Sequence, residues 1–243
     1  MFLSQAETLT EANLLLASLS SEDRTRLAPL LERIELRGGD RIASSQAPVI
    51  RICFPETVVA TFGEVIDENS RFAVGMIGRE GMIGWPTLLG ASRSAHSGQV
   101  QLSGGTALVL PASDLARLCE ESRTLHVALL RFVQSFTVQM GRTIVANLRD
   151  SIERRLARWL LMFHDRIAGD EFAVTHDALG AALNIRRASV TDALHLLEGE
   201  RALRCTRGRI TVRDRAALQR LAGDSYGPAE TSYRELIGPF GKS

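Results

Sequence analysis

The run from Thr175 to Glu198 constrains the fold more than any other stretch of this chain. Leu179, Ala182 and Leu183 recur at helical spacing, and Val190, Leu194 and Leu197 do so again a few residues on. Thr175 is suited to cap the first helix, and Asp177 stands in its first turn, where the helix dipole favours a negative charge. Asn184 tolerates the left-handed conformation that ends a helix, and Ile185 is placed to plug the corner. Gly180 in mid-helix costs about 1 kcal/mol relative to alanine. Its use is to let the second helix approach closely. That second helix runs from about Arg187 to Glu198 and stops at Gly199. Its other face carries Arg187, Ala188, Ser189, Thr191 and Asp192, which is polar and mostly small. Two short helices joined by a tight turn, with Arg186 and Arg187 opening the second, suit a helix that enters the major groove of double-stranded DNA.

The next segment extends this pattern. Leu203-Arg204-Cys205-Thr206 and Arg209-Ile210-Thr211-Val212 are β-prone, with Arg207-Gly208 between them. Glycine suits a two-residue hairpin turn, so a winged helix-turn-helix is predicted, with Arg207 and Arg209 at its tip in reach of phosphates. Charge agrees. The chain is only +1 overall, yet residues 151–222 hold 13 arginines, no lysine and 9 acids. Positive charge is thus gathered where nucleic acid would lie. From the residues alone, a winged helix that docks a protein partner stays open.

Upstream, residues 11–31 read as two short helices through Leu14, Leu15, Leu19, Leu27, Leu30 and Leu31. From about Ile34 to Leu110 the period becomes two. Candidate strands are Ile34–Leu36, Val49–Phe54, Val58–Phe62, Phe72–Ile77, Gln99–Ser103 and Ala107–Leu110. Short strands split by Gly, Pro, Asp and Asn predict an antiparallel sandwich or jelly roll. A short helix over residues 112–120 precedes a long one from about Thr124 to Leu148. In the long one, Leu125, Leu129, Phe132, Phe136, Met140 and Ile144 fall at intervals of 4, 3, 4, 4 and 4, close to a heptad seam. A helix of about 25 residues extends about 37 Å, more than one small domain covers. The seam is therefore assigned to a homodimer interface, which suits a DNA reader with two half-sites about one helical turn apart. The alternative is packing on its own β domain only.

The expected class is α+β. Residues 1–122 form a jelly-roll domain with N-terminal helices, 123–149 the dimerisation helix, 150–222 the winged helix-turn-helix, and 223–243 a tail with a short helix over Ala229–Ile237. Ile152, Leu156, Trp159, Leu160 and Phe163 form the buried stripe that opens the winged domain.

Several function classes are disfavoured. No apolar run nears the roughly 18 residues of a membrane span. No basic region precedes an apolar core at the N-terminus, so no signal peptide is expected and the cytoplasm is the expected location. Cys53, Cys119 and Cys205 lie far apart without a Cys-x-x-Cys, which reads as incidental thiols. Of the histidines, only His96 falls in the β region, while His126, His164, His176 and His195 lie outside it. The ligand set of a metal-dependent jelly-roll enzyme is therefore not expected. Neither a nucleophile elbow nor a phosphate loop is present. No enzyme activity, metal or cofactor is expected.

Taken together, the chain resembles the cyclic-AMP-receptor and fumarate–nitrate-reduction (Crp/Fnr) family of transcriptional regulators over nearly its whole length. Four stretches carry the resemblance: Glu80-Gly81-Met82-Ile83-Gly84, Arg93-Ser94, Arg154-Arg155-Leu156-Ala157-Arg158-Trp159-Leu160-Leu161, and Arg187-Ala188-Ser189-Val190-Thr191 with Leu196-Leu197-Glu198. It implies a transcription regulator that binds a palindromic operator as a homodimer and touches RNA polymerase. Arg187 matches the position at which the family reads a guanine, a contact worth about 1–3 kcal/mol of discrimination. The candidate DNA contacts are Thr175, Arg186, Arg187, Ser189, Val190, Thr191, Arg207 and Arg209. Ala188 stands where the family often has Glu, and Asp192 where it often has a second Arg, so the usual operator consensus is not implied.

In the β domain the resemblance implies an effector site at Gly84, Trp85, Arg93 and Ser94. Cyclic-nucleotide binders follow this glycine with a Glu that holds the ribose. Here Trp85-Pro86 follows, and an indole offers one donor and no acceptor. The phosphate-holding Arg93-Ser94 pair remains near its usual spacing. The expectation is a sensor that does not bind cyclic AMP in the usual way. An unknown small-molecule effector, or a cyclic nucleotide in a modified pocket, is the alternative. The cysteine cluster of the oxygen-sensing branch has no counterpart near this N-terminus.

Overall fold

The computed structural model describes residues 11–65 and 71–242. Helices α1 (Leu14–Ala17) and α2 (Ser21–Leu27) lead into the β domain. Asn13 caps α1, and its amide donates to Pro55 O at 2.8 Å and Gly81 O at 2.9 Å, which ties the helix to the strands.

Among the described residues seven strands follow: β1 (Glu32–Arg37), β2 (Arg41–Ala43), β3 (Arg51–Pro55), β4 (Ala60–Val65), β5 (Arg71–Ile77), β6 (Ser97–Val100) and β7 (Gly104–Pro111). They form two antiparallel sheets, ordered β1-β7-β3 and β2-β6-β4-β5. Ile52 and Phe54 from one sheet, and Phe62 and Ile77 from the other, share one apolar core with Leu108 and Leu110. This is the two-sheet sandwich that the alternating pattern predicts. Strand β2 escapes that pattern because it is only three residues long and half-buried at most.

Helix α3 (Ala112–Glu121) is followed by the long helix α4 (Arg123–Arg149). Ser122 separates them. Its hydroxyl donates to Asp23 Oδ1 at 2.6 Å and accepts from Leu125 N–H at 3.2 Å.

The face of α4 assigned to a partner needs correction. Leu125, Leu129, Phe132 and Phe136 are buried in the core of the chain's own β domain. Two glycines explain how the rings fit. A Cβ on Gly75 would come within 2.7 Å of the Phe136 ring, and one on Gly81 would overlap the Phe132 ring. Strand β5 and the turn after it thus present glycine-floored sockets that no other residue would leave open. Met140 lies partly buried at the edge of this core, and Ile144 stays 53% exposed. A run of apolar positions shows that one helix face is covered, but not by what. The large apolar residues of α4 left exposed are Val127, Ile144, Val145 and Leu148.

The C-terminal domain opens with α5 (Ile152–Arg166), capped by Ser151. The apolar stripe predicts burial of one face, yet every residue from Leu156 to Arg166 is buried. The helix sits centrally, packed on α7 (Arg187–Gly199) and α8 (Arg215–Ala222). Between them lie β8 (Glu171–Ala173), α6 (His176–Leu183), and the hairpin β9 (Leu203–Thr206) and β10 (Arg209–Val212). The small sheet has the order β8-β10-β9. Ala73 and Met76 of β5 belong to the same apolar cluster as Trp159, Phe163, Leu183 and Leu194, so the two domains share a continuous contact. After α8, the tail forms α9 (Pro228–Leu236) and folds back, so that Tyr233 and Phe240 enter the β-domain core.

Candidate nucleic-acid interface

Local chemistry shapes the α6–α7 corner. Thr175 Oγ1 accepts from Ala178 N–H at 3.1 Å, which satisfies one of the free amides at the start of α6. Asn184 ends the helix in the left-handed conformation (φ 51°, ψ 53°), and Ile185 N–H returns to Gly180 O at 2.9 Å. A Cβ on Gly180 would lie 2.8 Å from Ile185 O, so the close approach inferred from its position has a definite neighbour.

Helix α7 then presents its first turn to solvent. Arg186, Arg187 and Ala188 are exposed, and Ser189 and Thr191 are half-buried. Val190 is 0% exposed and packs in the core with Leu179, Leu194 and Leu197. Its inclusion among the contact residues is corrected: it sits one position from the polar face but points the other way, as the 3.6-residue period requires. Arg187 Nη1 lies 3.2 Å from Asp177 Oδ2, with both side chains about two-thirds exposed. Thr191 Oγ1 lies 3.1 Å from Arg187 O and 2.9 Å from His176 Nδ1, within hydrogen-bonding distance of both. His176 and Asp177 therefore orient two residues in the first turns of α7. The sequence signal for this is Asp177 in the first turn of α6, where its position alone points only to a dipole partner.

At the wing, Gly208 takes the left-handed conformation (φ 71°) and Arg207 is exposed beside it. Arg209 Nη1 pairs with Glu171 Oε1 at 2.7 Å, which anchors it to β8. Thr175, Arg186, Arg187 and Arg207 are thus all solvent-facing, on the turn-linked helices and the hairpin of one small domain.

The expected effector residues divide. A cavity of about 220 Å³ is lined by Gly84, Trp85 and Ser94 together with apolar neighbours such as Val49 and Ile83. Gly84 is left-handed (φ 97°), and a Cβ there would meet Ile52 at 2.7 Å. The Trp85 ring lies 5.8 Å from that of Phe136, and the Ser94 hydroxyl donates to His96 O at 2.7 Å. Arg93 does not line the cavity. It is exposed, and Nη1 donates to Gln46 O at 2.5 Å. The placement of Arg93 beside the other three is therefore corrected. Glu80 is also turned away, into a buried ion pair with Arg166.

Among the described residues, no group of three or more His, Cys, Asp or Glu is placed to hold a metal ion, and no helix is long and apolar enough to cross a membrane. Burial pushes the Cys53 thiol up to about 12 and those of Cys119 and Cys205 up to about 11, so none is poised as a thiolate nucleophile.

Residues 154–221 match the Crp-like helix-turn-helix family model. No curated protein matches the chain. Three solved structures illustrate the likeness of fold. FixK2 from Bradyrhizobium japonicum is 15% identical, covers 79% of this chain and 98% of its own, and superposes with a TM-score of 0.68. A putative Crp/Fnr-family transcriptional regulator from Eubacterium rectale is 15% identical and covers 86% and 97%, with a TM-score of 0.65. A CRP-family transcriptional regulator from Thermus thermophilus is 19% identical and covers 79% and 97%, with a TM-score of 0.63. The chain therefore carries a Crp-like helix-turn-helix domain within the fold of the Crp/Fnr-family transcriptional regulators.

Proposed function

We propose that the protein is a sequence-specific transcription regulator that binds a palindromic operator as a homodimer. The observation that carries this reading is the exposed first turn of α7, opened by Arg186 and Arg187, beside the exposed wing arginine Arg207. Arg187 reads a base, most favourably a guanine, because a guanidinium matches its O6 and N7 acceptors in two bonds. Arg186, Ser189 and Thr191 contact bases or phosphates, while Thr175, Arg207 and Arg209 hold the register on the backbone. The two copies pair through the exposed face of α4 around Val127, Ile144, Val145 and Leu148, since this apolar surface has no cover among the described residues. The protein works in the cytoplasm alongside RNA polymerase.

The β domain does not take cyclic AMP in the usual way. Arg93 lies outside the cavity, which supports this part of the reading. Any effector acts by binding one arrangement of the reading heads better than another.

Selection of bound sequences from random DNA by the purified chain tests the proposal. A site with two-fold symmetry is expected. Arg187→Ala should relax preference at one base pair per half-site. Arg207→Ala should weaken all sites alike and lower the slope of log affinity against log salt by about 0.9 for each phosphate no longer neutralised. No symmetric enrichment, or an unchanged base preference in Arg187→Ala, would overturn it, and the first result would favour a winged helix that docks protein.

A further inference from the structure

The joint between the two domains is built around a charge pair closed to solvent. Glu80 and Arg166 are 3% and 1% exposed, and Arg166 Nη2 lies 2.7 Å from Glu80 Oε1. Glu80 belongs to the turn after β5, while Arg166 ends α5, the first helix of the winged domain. Arg166 directs its other donors to Met162 O of its own helix at 2.8 Å and to Met76 O of β5 at 3.2 Å. Gly78 makes room for it, since a Cβ there would come 2.9 Å from Arg166 Cγ.

The tail closes over this pair. Tyr233 Oη–H donates to Glu80 O at 2.8 Å, and the Phe240 ring lies 5.2 Å from the Arg166 guanidinium carbon. The Tyr233 and Phe240 rings are 4.9 Å apart. The same segment is fastened to the winged domain, where Lys242 N–H donates to Asp165 Oδ1 at 3.2 Å. Residues 227–242 thus reach the β domain, α5 and the charge pair at once, although they lie beyond the matched helix-turn-helix residues.

We propose that this tail is a strap that, with Glu80 and Arg166, fixes the angle of the reading head on the β domain and thereby the separation of the two half-sites. The proposal rests on the DNA-binding reading above. A buried ion pair tolerates little displacement, because parting the charges leaves each one desolvated. Domains within a chain move relative to each other unless their interface is large and apolar, and here the charge pair adds to the apolar contact made by Ala73 and Met76. In a two-fold dimer, tilting each head changes the distance between the two reading helices, and that distance is matched to the spacing of operator half-sites. In the DNA-binding reading base contacts come from α7, whereas the strap bonds to Glu80 O and to Asp165 of α5. Glu80, Arg166, Tyr233 and Phe240 are therefore positioning residues.

The test compares the native full-length chain with Glu80→Gln, Tyr233→Phe and Phe240→Ala. Each is used to select DNA sites and is followed by hydrogen exchange in the absence of DNA. The half-site sequence should be the same in all. The spacer, of one length in the native protein, should spread over at least one further base pair in the variants. Exchange at the turn around Glu80 and at the C-terminal end of α5 should quicken at least threefold. Tyr233→Phe keeps the ring and removes one hydrogen bond, so it decides the matter if Glu80→Gln does not fold. An unchanged spacer with unchanged exchange in Tyr233→Phe and Phe240→Ala would overturn the strap. If the native chain selects no symmetric site, the DNA-binding reading fails. The exchange result then still decides whether the tail holds the joint.

Discussion

Gly180→Ala sets two effects of known size against each other. Alanine is favoured over glycine in a helix interior by about 1 kcal/mol. The new Cβ, however, would stand 2.8 Å from Ile185 O, a backbone atom. The corner cannot simply yield. Asn184 holds it in a left-handed conformation, and Ile185 N–H is bonded to Gly180 O at 2.9 Å. Regaining an ordinary contact moves the turn by about half an ångström, and overpacking of this kind costs about 1–3 kcal/mol. The steric term wins, leaving a net loss near 1 kcal/mol, or about 2–4 °C in melting temperature for a protein of this size. Gly199 is the control, because a Cβ there meets nothing within 4 Å. Gly199→Ala should be neutral or stabilising by up to about 1 kcal/mol. Thermal unfolding followed by circular dichroism measures both. The same displacement carries Arg186 and Arg187 away from Thr175, so operator affinity should fall in Gly180→Ala and hold in Gly199→Ala. A Gly180→Ala protein that melts at or above the native temperature would refute the claim that close helix approach is what requires glycine here.

Phe136→Ala should lower stability in denaturant titrations by about 3–5 kcal/mol even in dilute protein, because the ring fills the chain's own core. Leu148→Glu, at a residue 85% exposed, should change monomer stability by less than about 0.5 kcal/mol while dissociating the proposed dimer in sedimentation. The opposite pattern would return the dimer seam to the face of Leu129 and Phe136. His164 supplies a pH dependence. Burial holds its pKa below the usual 6.5, with Lys242 and Arg215 adding to the effect and the Asp170 hydrogen bond opposing it. Its Nδ1 accepts from Arg215 Nη1 at 2.9 Å and so must be unprotonated. The unfolded chain therefore binds the extra proton first, and this contribution is complete above about pH 6.5 and shrinks as pH falls below it. Stability measured from pH 8 to pH 5 should drop in the native protein and drop less in His164→Gln. Equal slopes would remove His164 from the explanation.

Much of the winged domain is legible in the sequence because its signals are local. The Thr175 cap, the left-handed Asn184 and the turn at Gly208 each act on neighbours a few residues away, where sterics and backbone hydrogen bonds decide the conformation. The strand pattern in residues 34–110 is legible for a similar reason, since alternation marks a two-faced sheet whatever its partner. Strands β2 and β8 escape notice because they are three residues long, too short for a period to show. Of the candidate contacts, Arg186, Arg187 and Arg207 stand at the surface as expected, while the polarity of its neighbours misplaces Val190.

The amino-acid order alone determined that this chain has a β sandwich, one long helix and a winged helix-turn-helix, because each follows from periodicity and turn chemistry within a short window. Tertiary structure alone decided which face of α4 meets the sandwich, that Arg93 is left out of the cavity lined by Trp85 and Ser94, and that Glu80 meets Arg166 and Tyr233. These pairings join residues up to 153 positions apart, as in the Tyr233 to Glu80 hydrogen bond. A side chain's type shows that it needs a partner, but burial and charge pairing are satisfied only by whatever the folded chain brings alongside.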